Sequence, residues 1–434
     1  MHFTRVTRNQ PSKVNVRLCC STSCCDCCLT RRHTALVISI DALVDDVLLE
    51  IFDFYMGERQ KSEDESREEV EAWQSLVHVY HQWRAIVFGY SSRLNLRLYC
   101  ETRTPVRLLD VWPALPLFIQ EHRYFPTYDP EYVDNVLPAL KHHRACTIDL
   151  DIYDSRLEIV WAAMQESFPQ LIDLIIDKSD KVEGIPDQIP DSFLGGSAPR
   201  LRRLQLGGIP FPGLPKLLLS TTQLAILCIW KIPHSGYISP ETMVTCLSML
   251  TSLEEFTLMY YQCDAPDQEN QCLTLEARVV LPALTNFDFM GATNYSEYLL
   301  ARIDAPRLFH LSTIFFDQFP NFDNPHLVQL ISRTPSFETP KKACLNFNEF
   351  VAQVELSSDT SGYGELYVGI DSSRQLTPLA QICTSSLPQC LPFPQWRNSA
   401  SQRIDYLNQT GILTSWEYSG WNFCIHLSLR RIST

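Results

Sequence analysis

The chain of 434 residues lacks the long apolar runs and the excess of positive charge that mark two large classes of protein. No apolar run approaches the roughly 18–20 residues that a helix needs to cross a bilayer, so we expect no membrane partner. Asp and Glu number 50 against 36 Lys and Arg, for a net charge of −14. This balance argues against a nucleic-acid partner, because general nucleic-acid binders depend on clustered Lys and Arg.

Catalytic motifs are missing as well. The sequence contains no Gly-rich phosphate loop, no Gly-x-Ser-x-Gly elbow and no His-Glu-x-x-His. No pair of its carboxylates is spaced in a way that indicates general acid–base catalysis. We therefore predict a protein that is not an enzyme, has no catalytic residue and needs no cofactor. An enzyme with an unrecognised site remains the alternative.

Cysteine is plentiful but unevenly placed. Of the 16 cysteines, those from Cys100 onward are scattered singly, mostly in apolar stretches, and are typical of buried small hydrophobes in a reducing compartment. The others crowd into "CCSTSCCDCC", residues 19–28, without the spaced pairs and the second cluster that zinc requires. We predict no metal site and a disordered Cys/Arg-rich extension over residues 1–36. An incorrectly assigned gene start and a mitochondrial transit peptide remain open.

The chain has enough hydrophobic residues to form a core, since they make up 45% of the sequence. The stretch "DALVDDVLLEIFDFY", residues 41–55, predicts an amphipathic helix with more apolar residues than one side needs. A second helical pattern covers residues 68–89, after a charged loop. Residues 37–90 thus form a small helical module with an acidic insertion at 57–71. Because so small a module buries limited surface, we expect it to share its apolar side chains with a partner.

Two stretches of this module resemble the halves of an F-box. "LVDDVLLEIFDFY" is similar to its start, usually Leu-Pro-x-Asp/Glu-x-Leu-x-x-Ile-Phe, and "WQSLVHVYHQWRAIVFG" is similar to its second half, where Leu-x-x-Val precedes Trp-Arg and a Val. The departures are Val44 in place of Pro, Tyr80 in place of a frequent Cys, and the acidic insertion. The matching positions are Leu43, Asp46, Val47, Leu49, Ile51, Phe52, Leu76, Val79, Trp83, Arg84 and Val87.

The resemblance, which is strongest to the large F-box families of mushroom-forming fungi, implies two partners: a Skp-type adaptor and, through it, a cullin–RING ubiquitin ligase. The implied compartment is the cytoplasm, the nucleus or both. A charge introduced at Leu49 and Phe52 should then abolish adaptor binding. The alternative is a helical hairpin that packs only on its own downstream domain. The adaptor-binding residues that the resemblance implies are Leu43, Val47, Leu49, Ile51, Phe52, Leu76, Trp83 and Val87.

Beyond residue 90, short segments of the form Leu-x-x-Leu/Phe-x-apolar recur. The steps between their starts are 26, 30, 23, 29, 31 and 24 residues, close to the period of leucine-rich repeats. We predict an α/β chain overall: the all-α F-box module followed by an irregular leucine-rich-repeat-like solenoid over residues 91–388. An ordinary α/β domain with coincidental strand spacing remains open. The copies start at residues 145, 171, 201, 224, 253, 284 and 308, with a weaker one at 351.

The strand pattern also predicts which side chains face outward to hold an unknown protein target. The acidic end and the apolar middle of this surface suit a target with a basic edge and an apolar anchor. The runner-up function is a repeat scaffold that binds partners without any ligase. The predicted target-binding residues are Asp149, Asp151, Asp173, Asp177, Arg203, Trp230, Met259 and Met290.

The repeat pattern stops near residue 389. From there, polar residues are mixed with isolated tryptophans. We predict that residues 389–434 form a divergent, poorly ordered tail. One hypothesis is that a frame slip or a mis-spliced exon truncated the repeat array, which would leave its last repeat uncapped.

Overall fold

The computed structural model describes residues 43–59, 72–100, 115–120, 132–152, 154–178, 188–260, 278–316, 324–337, 342–347, 351–357, 364–371 and 421–425. The chain divides into a short unit, residues 1–48, and a large unit, residues 49–434. The predicted extension 1–36 lies outside the described residues, as do residues 60–71 of the acidic insertion. Within the described ranges, none of the helices has the length and apolarity to cross a membrane.

Among the residues that the structure describes, three helices precede the first strand. Their bounds are α1 (Asp45–Arg59), α2 (Ala72–Val79) and α3 (His81–Gly89). The single helix predicted over residues 68–89 is wrong, because Tyr80 is extended (φ −154°, ψ 146°) and divides it. The break leaves carbonyls at the end of α2 without helical partners. Arg84 compensates, since its Nε donates to the Val77 carbonyl at 3.2 Å.

The α/β class is confirmed by a large open sheet, in which the described residues form 13 strands, most of them parallel. Across the sheet the strands run in the order β1-β2-β3-β4-β5-β6-β7-β9-β11-β14-β13-β12-β15. Separately, β8 (Val279–Val280) pairs with β10 (Ile303–Asp304). The strands of the large sheet are β1 (Leu98–Cys100), β2 (Leu117–Gln120), β3 (Ala145–Ile152), β4 (Asp173–Lys178), β5 (Arg203–Gly207), β6 (Ile226–Ile232), β7 (Glu255–Tyr260), β9 (Asn286–Gly291), β11 (His310–Phe316), β12 (Lys342–Phe347), β13 (Val351–Ser357), β14 (Glu365–Asp371) and β15 (Trp421–Ile425).

Each of the seven segments predicted from residue 145 to residue 313 coincides with a parallel strand, from β3 through β11. Six of the segments, all except the first, begin with the same tight turn. In each, the N–H of the leading Leu donates to the carbonyl three residues earlier, as from Leu201 to Ala198 at 3.1 Å and from Leu253 to Leu250 at 3.0 Å. This tight turn brings the chain into each of these strands. The Leu that ends it is fully buried, so the turn and the start of the strand are anchored together.

The eighth predicted copy, residues 351–356, is wrong as a parallel repeat. It lies in β13, which is antiparallel to both β12 and β14. The parallel neighbour of β11 is β14 instead. Within the predicted tail, β15 pairs antiparallel with β12, and the rest of residues 389–434 lies outside the described ranges.

The core lies on one side of the sheet, where helices connect the strands. Two rows of side chains point into it, one running from Leu174 through Phe256 and Phe287 to Leu366, the other from Ile176 to Val368. The rings of Phe256 and Phe287 stack at 5.2 Å. Burying each such side chain contributes about 1.5–3 kcal/mol. The connecting helices are α4 (Tyr132–Leu140), α5 (Asp154–Ala163), α6 (Leu214–Leu218), α7 (Pro240–Leu247), α8 (Thr293–Arg302) and α9 (Pro325–Arg333).

The stretch "PETMVTCLSML" contains α7, which shows how a connecting helix begins. Pro240 occupies its first position, where a missing N–H does no harm. Ser239 caps it, because the Ser239 hydroxyl accepts from the Thr242 N–H at 3.3 Å. Ser239 and Pro240 therefore determine where α7 begins.

Candidate functional site

One side of α1 exposes apolar side chains to solvent. Val44, Val47, Ile51 and Phe54 are 65%, 43%, 45% and 68% exposed, at the three- and four-residue spacing that places side chains on one side of a helix. Leu48, Leu49, Phe52 and Met56 are buried. The helix thus has two apolar sides, of which the structure covers one. We call Val44, Val47, Ile51 and Phe54 the outer face of α1.

The buried side of α1 is held by aromatic packing. The Phe52 ring meets Trp83 of α3 edge to face, with centroids 5.1 Å apart. Trp73 of α2 meets Phe88 in the same way at 5.8 Å, and its Nε1 donates to the Arg97 carbonyl at 3.0 Å. Edge-to-face pairs of this kind stabilise the packing beyond what the buried area alone contributes.

A third side of α1 carries charge. Arg93 donates to the Glu50 carboxylate and lies 3.5 Å from Asp53 Oδ2. The hydrogen bond to Glu50 raises the pKa of Arg93 above its ordinary value, as do both negative charges. On this side of α1, Glu50 and Asp53 therefore share one cation, Arg93.

The structure separates the predicted adaptor-binding residues into two groups. Leu49, Phe52, Leu76 and Val87 are buried within the chain, where they pack the module itself and offer no surface to a partner. Val47 and Ile51 are exposed, and Leu43 and Trp83 are half-buried. Two exposed members of the outer face, Val44 and Phe54, are missing from the predicted set. Helical spacing from Ile51 could have found both.

The second candidate surface is the side of the sheet that faces away from the core. Three rows of side chains cross it, each joining residues in register on neighbouring strands. The first row is Tyr99, Phe118, Thr147, Asp173, Arg203, Ile226, Glu255, Asn286, His310 and Glu365. The second row is Gln120, Asp149, Ile175, Gln205, Cys228, Thr257, Asp288, Ser312 and Tyr367. The third row is Asp151, Asp177, Gly207 and Trp230, then, beyond a bulge, Met259, Met290, Ile314 and Gly369. We call these rows together the polar face.

All eight predicted target-binding residues lie on the polar face. They differ in access: Asp151 is exposed, whereas Asp149 is nearly buried and accepts from Gln120 Nε2 at 3.4 Å. Asp173 accepts from the Thr147 hydroxyl at 3.3 Å and lies in register with Arg203. Asp173, Asp177, Arg203, Trp230, Met259 and Met290 are all half-buried.

Trp230 lies across Gly207, a residue that the sequence reasoning missed. A Cβ built on Gly207 would stand 2.6 Å from Trp230 Cε2 and closer still to Trp230 Nε1 and Asp177 Oδ1. The register shifts between Ile229 and Ile232, and Lys231 has a φ of 52°. Such a bulge re-aims the neighbouring side chain. The glycine and the bulge together set the indole against the Asp177 carboxylate.

A charged cluster occupies the far end of the first two rows. His310 Nε2 lies 3.2 Å from Asp288 Oδ1, and its Nδ1 lies 3.5 Å from Glu365 Oε2. The Thr257 hydroxyl also donates to Asp288, at 3.4 Å. The hydrogen bond to Asp288 is the main cause that raises the pKa of His310, against the opposing effect of burial. Because a carboxylate faces each ring nitrogen, this imidazole is suited to be a fixed cation and not a general base.

Sequence reasoning found the strands of His310 and Asp288 but not the strand of Glu365 and Tyr367. Glu365 and Tyr367 lie on β14, whose "ELYVGID" lacks the leading Leu-x-x of the other segments. The available signal was the alternation of the apolar residues Leu366, Val368 and Ile370 with other residue types. Among the described residues, no group of three or more His, Cys, Asp or Glu is arranged to hold a metal ion.

Comparison of the chain with protein-family models, with curated proteins and with solved structures finds no match. Function therefore has to be argued from the two surfaces described above.

Proposed function

We propose that this protein is a substrate-receptor subunit of an SCF-type ubiquitin ligase. In this proposal the N-terminal helical module is an F-box that binds a Skp-type adaptor through the outer face of α1, and the polar face of the sheet holds the target protein. The exposed apolar side of α1 is the observation that carries the proposal. The compartment expected for such a receptor is the cytoplasm, the nucleus or both.

Exposed apolar side chains are common singly, but an aligned set on one helix is typical of an interaction site. Burying each of these side chains against a partner would contribute about 1.5–3 kcal/mol to the binding free energy. The entropy lost on association has to be subtracted from that sum. Tyr80 and Val79, at the break between α2 and α3, are also exposed.

The repeat part of the proposal is supported by the chain order of the sheet. From β1 to β7, each strand lies beside the strand that precedes it in sequence, in parallel. We propose that these units are irregular leucine-rich repeats in a solenoid, with the polar face as the strand-lined binding surface. Ubiquitin transfer would then be carried out by other subunits, and this chain would supply only binding.

The test is a pull-down of the host's Skp-type adaptor by the full chain and by the variant Ile51→Asp/Phe54→Asp. Both residues are exposed, so the variant should keep its fold, unlike Leu49→Asp/Phe52→Asp, which would bury charge in the module. The matched control is Ile159→Asp on α5, an exposed apolar residue outside the module. We expect adaptor binding by the intact chain and by the control, and its loss in the double variant.

Adaptor binding that survives in a folded Ile51→Asp/Phe54→Asp protein would contradict the role of α1. A complete lack of binding by the intact chain would favour the runner-up, a repeat scaffold that binds partners without a ligase. The same exposed face then has to be covered by something other than the adaptor. Thermal melting of each variant checks that the fold is kept.

A further inference from the structure

The third row of the polar face combines carboxylates, an indole and methionines in a fixed sequence. Asp151 and Asp177 lie on β3 and β4, Trp230 on β6, and Met259 and Met290 on β7 and β9. Neighbouring strands are about 4.8 Å apart, so the row from Asp151 to Met290 is roughly 24 Å long. An extended peptide of about seven residues covers this length.

We infer that the third row binds an extended segment of a target protein in which Arg or Lys residues precede apolar residues. This inference rests on the proposed function, and it names the class of target that the polar face would take. The cationic side chains would lie over Trp230 and against Asp151 and Asp177. The apolar side chains would lie on Met259 and Met290.

The local geometry at Trp230 favours a cation. The indole lies across Gly207, with its Nε1 edge beside the Asp177 carboxylate oxygen, as the position of a Cβ on Gly207 shows. Trp230 is half-buried, so part of the indole remains open. The face of an indole attracts cations, and an adjacent carboxylate adds charge-assisted hydrogen bonds. A planar guanidinium can use both at once, which makes Arg the better fit.

Charge on the rest of the polar face points in the same direction. Asp149 and Asp173 lie on the same strands, β3 and β4, in the first two rows. Arg203 on β5 lies in register with Asp173, and Lys178 and Lys231 follow Asp177 and Trp230 at the ends of β4 and β6. Asp151, the exposed carboxylate of the third row, favours a basic segment over an acidic one.

The methionines complete the site. Met259 and Met290 are paired in register, and Ile314 follows on β11. Methionine is flexible and polarisable, so it accepts apolar side chains of different shapes. The expected segment therefore runs across the strands, with its basic end over β4 to β6 and its apolar end over β7 to β11.

The experiment measures fluorescence polarisation of a fluorescein-labelled peptide with two arginines followed by two leucines, each separated by glycine. The full chain is compared with Asp151→Asn/Asp177→Asn and with Trp230→Leu. The matched control is Glu158→Gln, which neutralises an exposed carboxylate on α5. We expect each variant on the polar face to weaken binding about five- to tenfold. The control should bind as the unaltered chain does, and affinity should fall with added salt.

Three outcomes would overturn the inference. They are a lack of binding to the arginine peptide, equal binding of a peptide with glutamates in place of the arginines, and affinity that does not change in the polar-face variants. Competition by spermine at equal affinity would also overturn it, because the site would then take any polyamine and not a protein segment. Melting curves confirm that each variant is folded.

The peptide assay contains no adaptor. A chain that binds the adaptor but not the peptide loses only this inference, and a chain that binds the peptide but not the adaptor loses only the ligase proposal.

Discussion

At Gly207 the polar face has no room for a side chain. A Cβ there would stand 2.6 Å from Trp230 Cε2, so Gly207→Ala forces the indole away from its position. We predict that Gly207→Ala lowers the free energy of unfolding by about 1–3 kcal/mol, as overpacking does. Urea unfolding of the full chain measures the change.

Gly89 is the matched control, because a Cβ on Gly89 would meet nothing within 4 Å. Gly89→Ala, at the end of α3, should change the free energy of unfolding by less than about 0.5 kcal/mol. Equal destabilisation by both substitutions would show that the space around Trp230 is not the cause.

His310 makes the stability of the chain depend on pH. Its pKa is raised in the folded protein, chiefly by the hydrogen bond to Asp288. The stabilisation is therefore complete below the pKa of the unfolded chain, about 6.5 for His. It is lost as the pH rises through the higher folded pKa, when the cation between Asp288 and Glu365 disappears. We predict a lower urea midpoint at pH 9 than at pH 6.

Substitution isolates the contribution of His310. His310→Gln should reduce the difference between the two midpoints, whereas His234→Gln, at an exposed histidine, should leave it unchanged. A difference that persists in full after His310→Gln would assign the pH dependence to other groups.

At the scale of elements, most strands could be predicted because their core side is continuously apolar. In β5, Leu204 and Leu206 are buried and alternate with Arg203 and Gln205 on the polar face. That alternation identifies a strand and which of its residues face the core. It does not reveal direction, because parallel and antiparallel strands alternate in the same way. The eighth predicted repeat was wrong for this reason.

The direction of β13 is determined by its connection. Only residues 348–350 separate β12 from β13, and a parallel crossover needs a dozen residues or more. The two strands therefore have to form a hairpin. The loop length would have shown this if β12 had been recognised in "KACLNF".

The candidate adaptor site shows another limit of sequence reasoning. The pattern of α1 predicts two apolar sides but does not say which one the chain itself covers. Leu49 and Phe52 are buried, Phe52 against Trp83, about 30 residues farther along the chain. A contact at this separation depends on how α1 and α3 meet, which helical periodicity does not contain. The resemblance selected motif positions from both sides.

Helices α8 and α9 are joined through the start of α9. Asn324 makes no side-chain cap there, and the Glu297 carboxylate of α8 accepts from the His326 and Leu327 N–H groups at 2.9 and 3.0 Å. A carboxylate at a helix N-terminus satisfies free donors and complements the helix dipole. Glu297→Gln keeps the shape but loses the charge and one acceptor.

We predict that Glu297→Gln lowers the free energy of unfolding by about 1–2 kcal/mol, measured by urea unfolding. The control Glu158→Gln makes the same chemical change at an exposed position on α5 and should have little effect. A Glu297→Gln protein as stable as the control would mean that solvent caps α9 equally well.

At the scale of the whole molecule, the parallel strands from β1 to β11 form a nearly linear series of neighbours. Phe287 on β9 lies between Phe256 of β7 and Leu311 of β11 in the core row, stacks on Phe256 at 5.2 Å and is fully buried. Its direct packing in this row is with its two neighbours. If the proposed repeat array is correct, stability is close to a sum of units and nearest-neighbour terms.

Phe287→Ala should therefore destabilise the chain locally. We expect a loss of about 3–5 kcal/mol, because a buried ring is replaced by a cavity. In amide hydrogen exchange, protection should fall most in β7, β9 and β11 and much less in β3 and β4. Ile159→Ala, at an exposed residue, is the control and should leave exchange unchanged. A uniform fall across all strands would instead mean that the sheet opens as one cooperative unit, and the nearest-neighbour description of the array would be wrong.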